Sequence, residues 1–169
     1  MENNEARTLR TALGHFATGI SVVSTRKDED IACMTVNSFT SVSLVPPLIL
    51  LCINNHCGFA QTVHHTQQFA VDVLSSEQKE IALICAGSDQ NKKSDLYMAS
   101  RPHESDTLPR LSDCLARFDC ALYATFPGGD HYILVGEVKH FTYTKQDLMP
   151  LVFYRSEFQG LAPHPRKPL

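Results

Sequence analysis

MTVNSFTSVS, residues 34–43, carries three serines, two threonines and an asparagine. It runs directly into the most apolar stretch of the chain, LVPPLILLCI, which ends at residue 53. Small hydroxyls and amides beside a hydrophobic strand suit a neutral polar ligand rich in acceptors, and they let backbone N–H groups come close to it. In an extended segment Thr35, Asn37 and Phe39 face one way and Val36, Ser38 and Thr40 the other, so one half can line a pocket while the other packs. A Ser/Thr-rich edge strand that binds nothing is the competing reading. The second candidate is GGDH at 128–131. Gly128 and Gly129 permit positive φ and close approach of a ligand, and His131 stands at the turn tip. An exposed hairpin histidine is the plainer alternative there.

Other chemistries lack their residues. There is no Gly-x-Ser-x-Gly and no carboxylate pair at a recognisable spacing, and neither G-x-G-x-x-G nor a Walker run occurs. A phosphorylated ligand would need hydroxyls, amides and a nearby cation, for which Lys92 or Lys93 is available. A reaction without a protein nucleophile fits chemistry carried by a bound organic cofactor. The six cysteines form no C-x-x-C pair and several sit in apolar stretches, which reads as free thiols in a reducing compartment. Cys52, His56, Cys57, His64 and His65 match no common zinc spacing, and no metal is expected. His64, His65 and His140 read as surface.

The elements that must hold these residues follow from periodicity. Asn3 or Asn4 caps a helix with Leu9, Leu13 and Phe16 at helical spacing, closed by Gly19. ISVVST is a strand, RKDED a charged turn, and IACMTVNSFTSVSL is extended. Pro46 and Pro47 favour extended geometry before the buried strand PLILLCI. His56 to His65 allows a short helix, QFAVDVLS is a strand, and Ser76 caps a helix that ends at Gly87. Residues 88–107 read as a long irregular surface loop. In LARFDCALYATF, alternation puts Ala116, Phe118, Cys120, Leu122, Ala124 and Phe126 on one face and Arg117, Asp119, Tyr123 and Thr125 on the other. PGGDH and HYILVGEVKHFTY complete a hairpin. PLVFYRSEF is a last strand before a Pro-rich tail at about 159–169. Seven or so strands, a few helices and no βαβ alternation predict a mainly β (α+β) single domain over 1–169: an antiparallel barrel with peripheral helices.

The totals agree. The chain has 169 residues, 43% hydrophobic and 20% charged, with a net charge of -3 and a pI near 6.2. That balance gives no field for nucleic acid or anionic lipid. MENNEARTLR is not a secretory signal, and the apolar run from Val45 to Ile53 is too short to span a bilayer. No membrane, no nucleic acid and a cytoplasmic location are expected.

Taken together, FATGISVVST, MTVNSFTSVSLVPPLILLCI, FAVDVLS, ARFDCAL, GGDHYILVGEV and PLVFYRSEF resemble, in order and over nearly the whole chain, the small flavin reductases of two-component flavin-dependent monooxygenases. The resemblance implies a split β-barrel of the FMN-binding flavin reductase type and a homodimer with FMN or FAD near its interface. It also implies reduction of flavin by NADH or NADPH, with reduced flavin passed to a separate monooxygenase. Carried over, Thr35, Val36, Asn37 and Ser38 are flavin contacts, as are Ser41, Val42 and Ser43 beside the ring. So is the stretch Cys52, Ile53, Asn54, Asn55, His56, Cys57, Gly58 and Phe59. His131 matches a histidine that faces the nicotinamide, and Phe153, Tyr154 and Arg155 match a C-terminal contact segment. Two departures stand out. Cys33 replaces a common glycine, and NNHCGF replaces a serine cluster that holds flavin phosphate. Asn54, Asn55 and His56, or Lys92 or Lys93, are the residues left for that phosphate. Arg101, Arg110 and Arg117 are the candidates for a nucleotide 2′-phosphate. A non-catalytic flavin- or haem-binding carrier or sensor is the alternative, and a nicotinamide site is what separates the two.

Overall fold

The computed structural model describes residues 4–99 and 108–161. Its elements are α1 (Asn4–Leu13), β1 (Thr18–Gly19), β2 (Ser21–Lys27), β3 (Asp30–Val36), β4 (Thr40–Leu44), β5 (Pro47–Asn54), α2 (Gly58–Thr66) and β6 (Gln68–Val73). After a 3-10 turn at Ser76–Gln78 come α3 (Lys79–Ala86), α4 (Gln90–Ala99), β7 (Ala116–Gly128), β8 (His131–Tyr143), β9 (Val152–Tyr154) and β10 (Glu157–Gln159). A seven-stranded antiparallel sheet runs β3-β2-β6-β7-β8-β5-β4, and a small sheet runs β1-β9-β10.

β3 and β4 follow one another in sequence yet form opposite edges of the large sheet. Only Asn37–Phe39 joins them, so the sheet must curl until its edges approach without bonding, which makes the barrel split. Ser38 straps this gap: its Oγ donates to the Cys52 carbonyl (2.9 Å) and accepts the Cys52 N–H (3.0 Å). Inside the barrel Val23, Leu51, Ile53, Phe69, Val71 and Leu134 are fully buried. A second cluster, with Ile20, Val22, Leu74, Ala82 and Tyr97, packs α3 and α4 against β2 and β3. Val22 and Val23 thus enter different clusters, so β2 is buried on both faces, its Ser21, Ser24 and Thr25 included.

Several expectations are corrected. The extended reading of IACMTVNSFTSVSL, 31–44, breaks at Asn37–Phe39, because the chain changes sheet edge there. α1 ends at Leu13, and the Gly14 amide bonds Arg10 O (2.9 Å); Gly19 instead lies in β1. The cap after β6 is Ser75, whose N–H is accepted by Gln78 Oε1 (2.9 Å), not Ser76. The 88–107 loop contains α4: Asp89 Oδ1 accepts the amides of Asn91 (3.1 Å) and Lys92 (3.2 Å) and starts it. The alternation of β7 holds through Phe118, Cys120 and Leu122, which all meet the barrel core; of its two register shifts with β8, Asp119/Cys120 and Leu122/Ala124, the second places the extra residue, Tyr123, on β7 and interrupts it. Phe126, beyond the second shift, is exposed, and Arg117, ahead of both shifts, is buried on the face opposite Phe118, against Asp72. The last strand is a hairpin, turned at Arg155 (φ 52°) and Ser156 (φ 65°). Residues 1–3, including Asn3, residues 100–107, including Arg101, and all of the Pro-rich tail beyond Leu161 lie outside the described residues. Among the described residues no helix is long and apolar enough to cross a membrane.

Candidate functional site

Two cavities receive parts of the hydroxyl-rich segment. The first, about 540 Å³, lies between β3, the start of α2 and the α3–α4 corner. Thr35, Cys57, Gly58 and Phe59 line it, together with Lys27 and Lys93. β3 is an edge strand, so its outer rim carries no ladder partner. The N-cap residue of α2, Cys57, makes no side-chain capping bond. A helix start without such a cap presents unpaired N–H groups and the positive end of the helix dipole. A side chain at Gly58 would meet nothing within 4 Å, so the approach to that helix end is open.

Lys93 supplies the cation. It is 5% exposed, and its Nζ donates to the carbonyl of Cys33 (3.1 Å). Among the described residues no carboxylate pairs with it. A buried ammonium held by one neutral acceptor is costly unless an anion completes it. The apolar wall, the helix start and Lys93 together fit a ligand with an apolar ring and an anionic tail. Lys92, one position earlier, is exposed and does not line the cavity. The sequence does not separate Lys92 from Lys93, because α4 is polar on all sides. Its signal was the Asp89 cap with Lys93 and Tyr97 one helical turn apart, both buried.

The second cavity, about 720 Å³, is lined by Asn37, Ser38, Phe39 and Thr40 with Leu13 and Phe16. The break after Val36 therefore separates Thr35 from Asn37 instead of placing them on one face. Val36 and Ile53 point into the barrel core. Ser41 and Val42 are exposed on edge strand β4, and Ser43 Oγ accepts the amide of Val45 (3.2 Å). Cys52 takes the strap from Ser38. Asn54 Oδ1 accepts the His56 amide (2.9 Å), which shapes the turn into α2. Asn55 Oδ1 is buried without a partner.

His131 opens β8 opposite Asn54, and Asn55 N–H donates to Asp130 O (3.1 Å), so this turn braces the β5–α2 corner. Gly129 takes the positive φ (71°) that the turn needs. His131 Nδ1 pairs with Asp130 Oδ1 at 2.7 Å, and that bond and the imidazole's charge hold the Asp130 carboxyl below its ordinary range. Nε2 is left as the ring nitrogen for a ligand. His131 lines neither cavity. Phe153 and Tyr154 lie on β9, and the Arg155 amide donates to Gly14 O (2.8 Å), which ties this segment to the end of α1. Phe153 packs on Phe158, and Tyr154 meets His15 edge-on at 6.4 Å. Arg117 is committed elsewhere: Nη1 reaches both Asp72 oxygens at 3.1 Å and Nη2 reaches Asp119 Oδ1 at 2.7 Å. Arg110 lines a smaller cavity beside Arg117.

Known proteins bear on this geometry. A family model described as a flavin reductase like domain matches residues 13–162. An NADH-dependent flavin reductase of Rhodococcus sp is 35% identical over 156 residues, 90% of this chain and 85% of its own length. The reductase subunit HsaB of a flavin-dependent monooxygenase of Mycobacterium tuberculosis is 31% identical over 165 residues, 97% of this chain and 87% of its own. Among solved structures, the NADH:FAD oxidoreductase SgcE6 of Streptomyces globisporus, in complex with NAD and FAD fragments, superposes with a TM-score of 0.86. It is 31% identical, over 96% of this chain and 97% of that one.

Proposed function

The chain belongs to the flavin reductase-like family, and from that premise we propose that it is an NADH-dependent flavin reductase that supplies reduced flavin to a separate monooxygenase. The observation that carries the site assignment is the first cavity, where buried Lys93 and the uncapped start of α2 converge beside the edge of β3. Flavin, FMN or FAD, supplies the chemistry by accepting the hydride of NADH. The protein's own part is to orient and shield. The α2 amides and Lys93 take the phosphate in place of a serine cluster, Thr35 and the β3 rim border the ring, and His131 offers Nε2 to the nicotinamide. Thr35 Oγ1 is held by the Ala82 carbonyl at 2.6 Å, which fixes that wall to α3. Stacking two bound rings turns a bimolecular encounter into an oriented one and needs no general base.

The assembly we infer is a homodimer. α1 buries no residue: Leu9 and Leu13 on it are 59% and 64% exposed, and Phe16, just past its end, is 78% exposed. A ten-residue helix is not stable in water by propensity alone, so a second copy of the chain is the partner that would cover these side chains and the adjoining second cavity. The relative named as a monooxygenase reductase subunit supports a monooxygenase as the other partner. The deciding experiment follows NADH absorbance with purified protein, with and without added FMN or FAD. Flavin-dependent NADH oxidation is expected; flavin binding with no NADH oxidation would leave a carrier.

A further inference from the structure

The first cavity contains a sulfur pair that hydride transfer does not use. Cys33, on β3, and Cys85, in the last turn of α3, both line it, and both are free thiols. Their sulfurs lie 3.7 Å apart, 5% and 1% exposed. We propose that Cys33 and Cys85 are a redox modification site: peroxide joins them in a reversible disulfide that pins α3 to the β3 wall of the cavity.

The geometry is specific to this pair. A disulfide bond is about 2.05 Å long, so the sulfurs need to close by about 1.7 Å, a displacement within reach of side-chain rotation. Cys33 also has the surroundings of a reactive thiol. The Cys85 thiol beside it and the Lys93 ammonium favour its thiolate, outweighing burial, and Cys85 is pushed up in return. Tyr97 OH is buried without a geometric partner, and a thiolate at Cys33 would give it an acceptor. Cys114 and Cys120 show the contrast: burial pushes both up to about 12, the condition of an inert structural thiol.

The step balances without further reactants. The Cys33 thiolate attacks peroxide, an S–O bond forms, the O–O bond breaks, and hydroxide leaves to become water. Cys85 sulfur then attacks the sulfenic sulfur, the S–S bond forms, the S–O bond breaks, and the second hydroxide leaves with the Cys85 proton. Both sulfurs are oxidised and both peroxide oxygens are reduced. Reduced flavin that meets dioxygen before its partner enzyme yields oxidised flavin and hydrogen peroxide, so the source of oxidant rests on the reductase reading; the cross-link itself does not. Cys33 is the residue whose carbonyl holds Lys93, so its oxidation is coupled to the anion-binding end of the cavity.

The test treats flavin-free protein with hydrogen peroxide and follows intact mass, peptide maps and FMN affinity. A loss of two hydrogens, a linked Cys33–Cys85 peptide, reversal by dithiothreitol and roughly fivefold weaker FMN binding in the oxidised form are expected. Cys33→Ala and Cys85→Ala should each abolish the linkage, whereas Cys114→Ala should not. If either alanine variant fails to fold, the wild-type peptide map decides. Oxygen added to single cysteines without a linked peptide, or a linkage between another pair, overturns the site; a linkage with unchanged FMN affinity overturns its coupling to the cavity. Bound FMN should slow the linkage. A linkage that FMN does not slow supports the site while removing flavin from this cavity.

Discussion

At the scale of single residues, the proposed assignments rest on two side chains, Lys93 and His131. Lys93 is buried in the cavity that the start of α2 also lines, with no carboxylate partner among the described residues, an arrangement suited to an anion. Hydrogen bonds to charged groups contribute about 1.5–3 kcal/mol, so Lys93→Met should weaken FMN binding roughly tenfold or more while leaving riboflavin, which has no phosphate, almost unchanged. Lys92→Ala should alter neither. Fluorescence titration of both flavins measures this, and equal losses for FMN and riboflavin would remove the phosphate from Lys93. His131 is a different case. Its Nδ1 is held by Asp130 at 2.7 Å, so the ring is oriented before any nucleotide arrives. His131→Ala should leave flavin affinity nearly unchanged and lower kcat/KM for NADH about tenfold, the worth of one hydrogen bond plus some loss of alignment. Stopped-flow flavin reduction with identical rates in both proteins would reduce His131 to a turn residue.

At the scale of elements, β8 crosses the barrel core closely at Gly136. A side-chain carbon at Gly136 would lie 2.5 Å from Phe69 Cζ and 3.1 Å from Cys120 Cβ. Phe69 is fully buried and cannot retreat, so Gly136→Ala should cost about 1–3 kcal/mol in urea denaturation; an unchanged midpoint would mean that the two strands slide freely. β6 and β7 are joined by the ion pair of Asp72 and Arg117, 0% and 4% exposed. Burial pushes the Asp72 carboxyl up to about 6 from its ordinary 3.8, against the pull of Arg117. The folded state therefore binds that proton more readily than the unfolded chain does. Its contribution to stability is full below 3.8 and is lost as pH rises through 6. Asp72→Asn carries no such proton, so wild type should lose up to about 3 kcal/mol relative to Asp72→Asn between about pH 4 and pH 7. A difference that rises with pH instead would show that Arg117 keeps Asp72 ionised.

For the whole molecule, the unpartnered apolar surface is what one barrel leaves unexplained. Phe16 and Leu13 are 78% and 64% exposed and line the second cavity with the 37–40 crossing. Patches of this kind mark interfaces. Sedimentation at micromolar concentration should give a dimer for the wild type and a monomer for the double variant Leu13→Glu/Phe16→Glu. A dimer that survives both charges would place the interface elsewhere.

Local chemistry made most of the elements readable, because hydrophobic period, turn residues and caps act over a few neighbours. ISVVST, PLILLCI and QFAVDVLS declared themselves as strands by β-branched and apolar content, and GGDH declared its turn through Gly129. The hydroxyls of 35–43 signalled a polar wall beside a core strand, and the ordered motifs signalled the family. What the tertiary structure decided was how those residues are shared out. The crossing at Asn37–Phe39 sends Thr35 to one cavity and Asn37 to another, and nothing in a two-residue alternation reveals that a chain changes sheet edge. Arg117, on the face expected to be polar, became buried because β6 places Asp72 directly opposite it, and the extra residue Tyr123 left Phe126 exposed, since a bulge depends on the partner strand's pairing rather than on the bulged sequence. Lys93 rather than Lys92 became the buried cation because the rotation of α4 is fixed by Tyr97 packing beneath it. Cys33 met Cys85 across 52 residues of chain, a contact that only the docking of α3 on β3 creates.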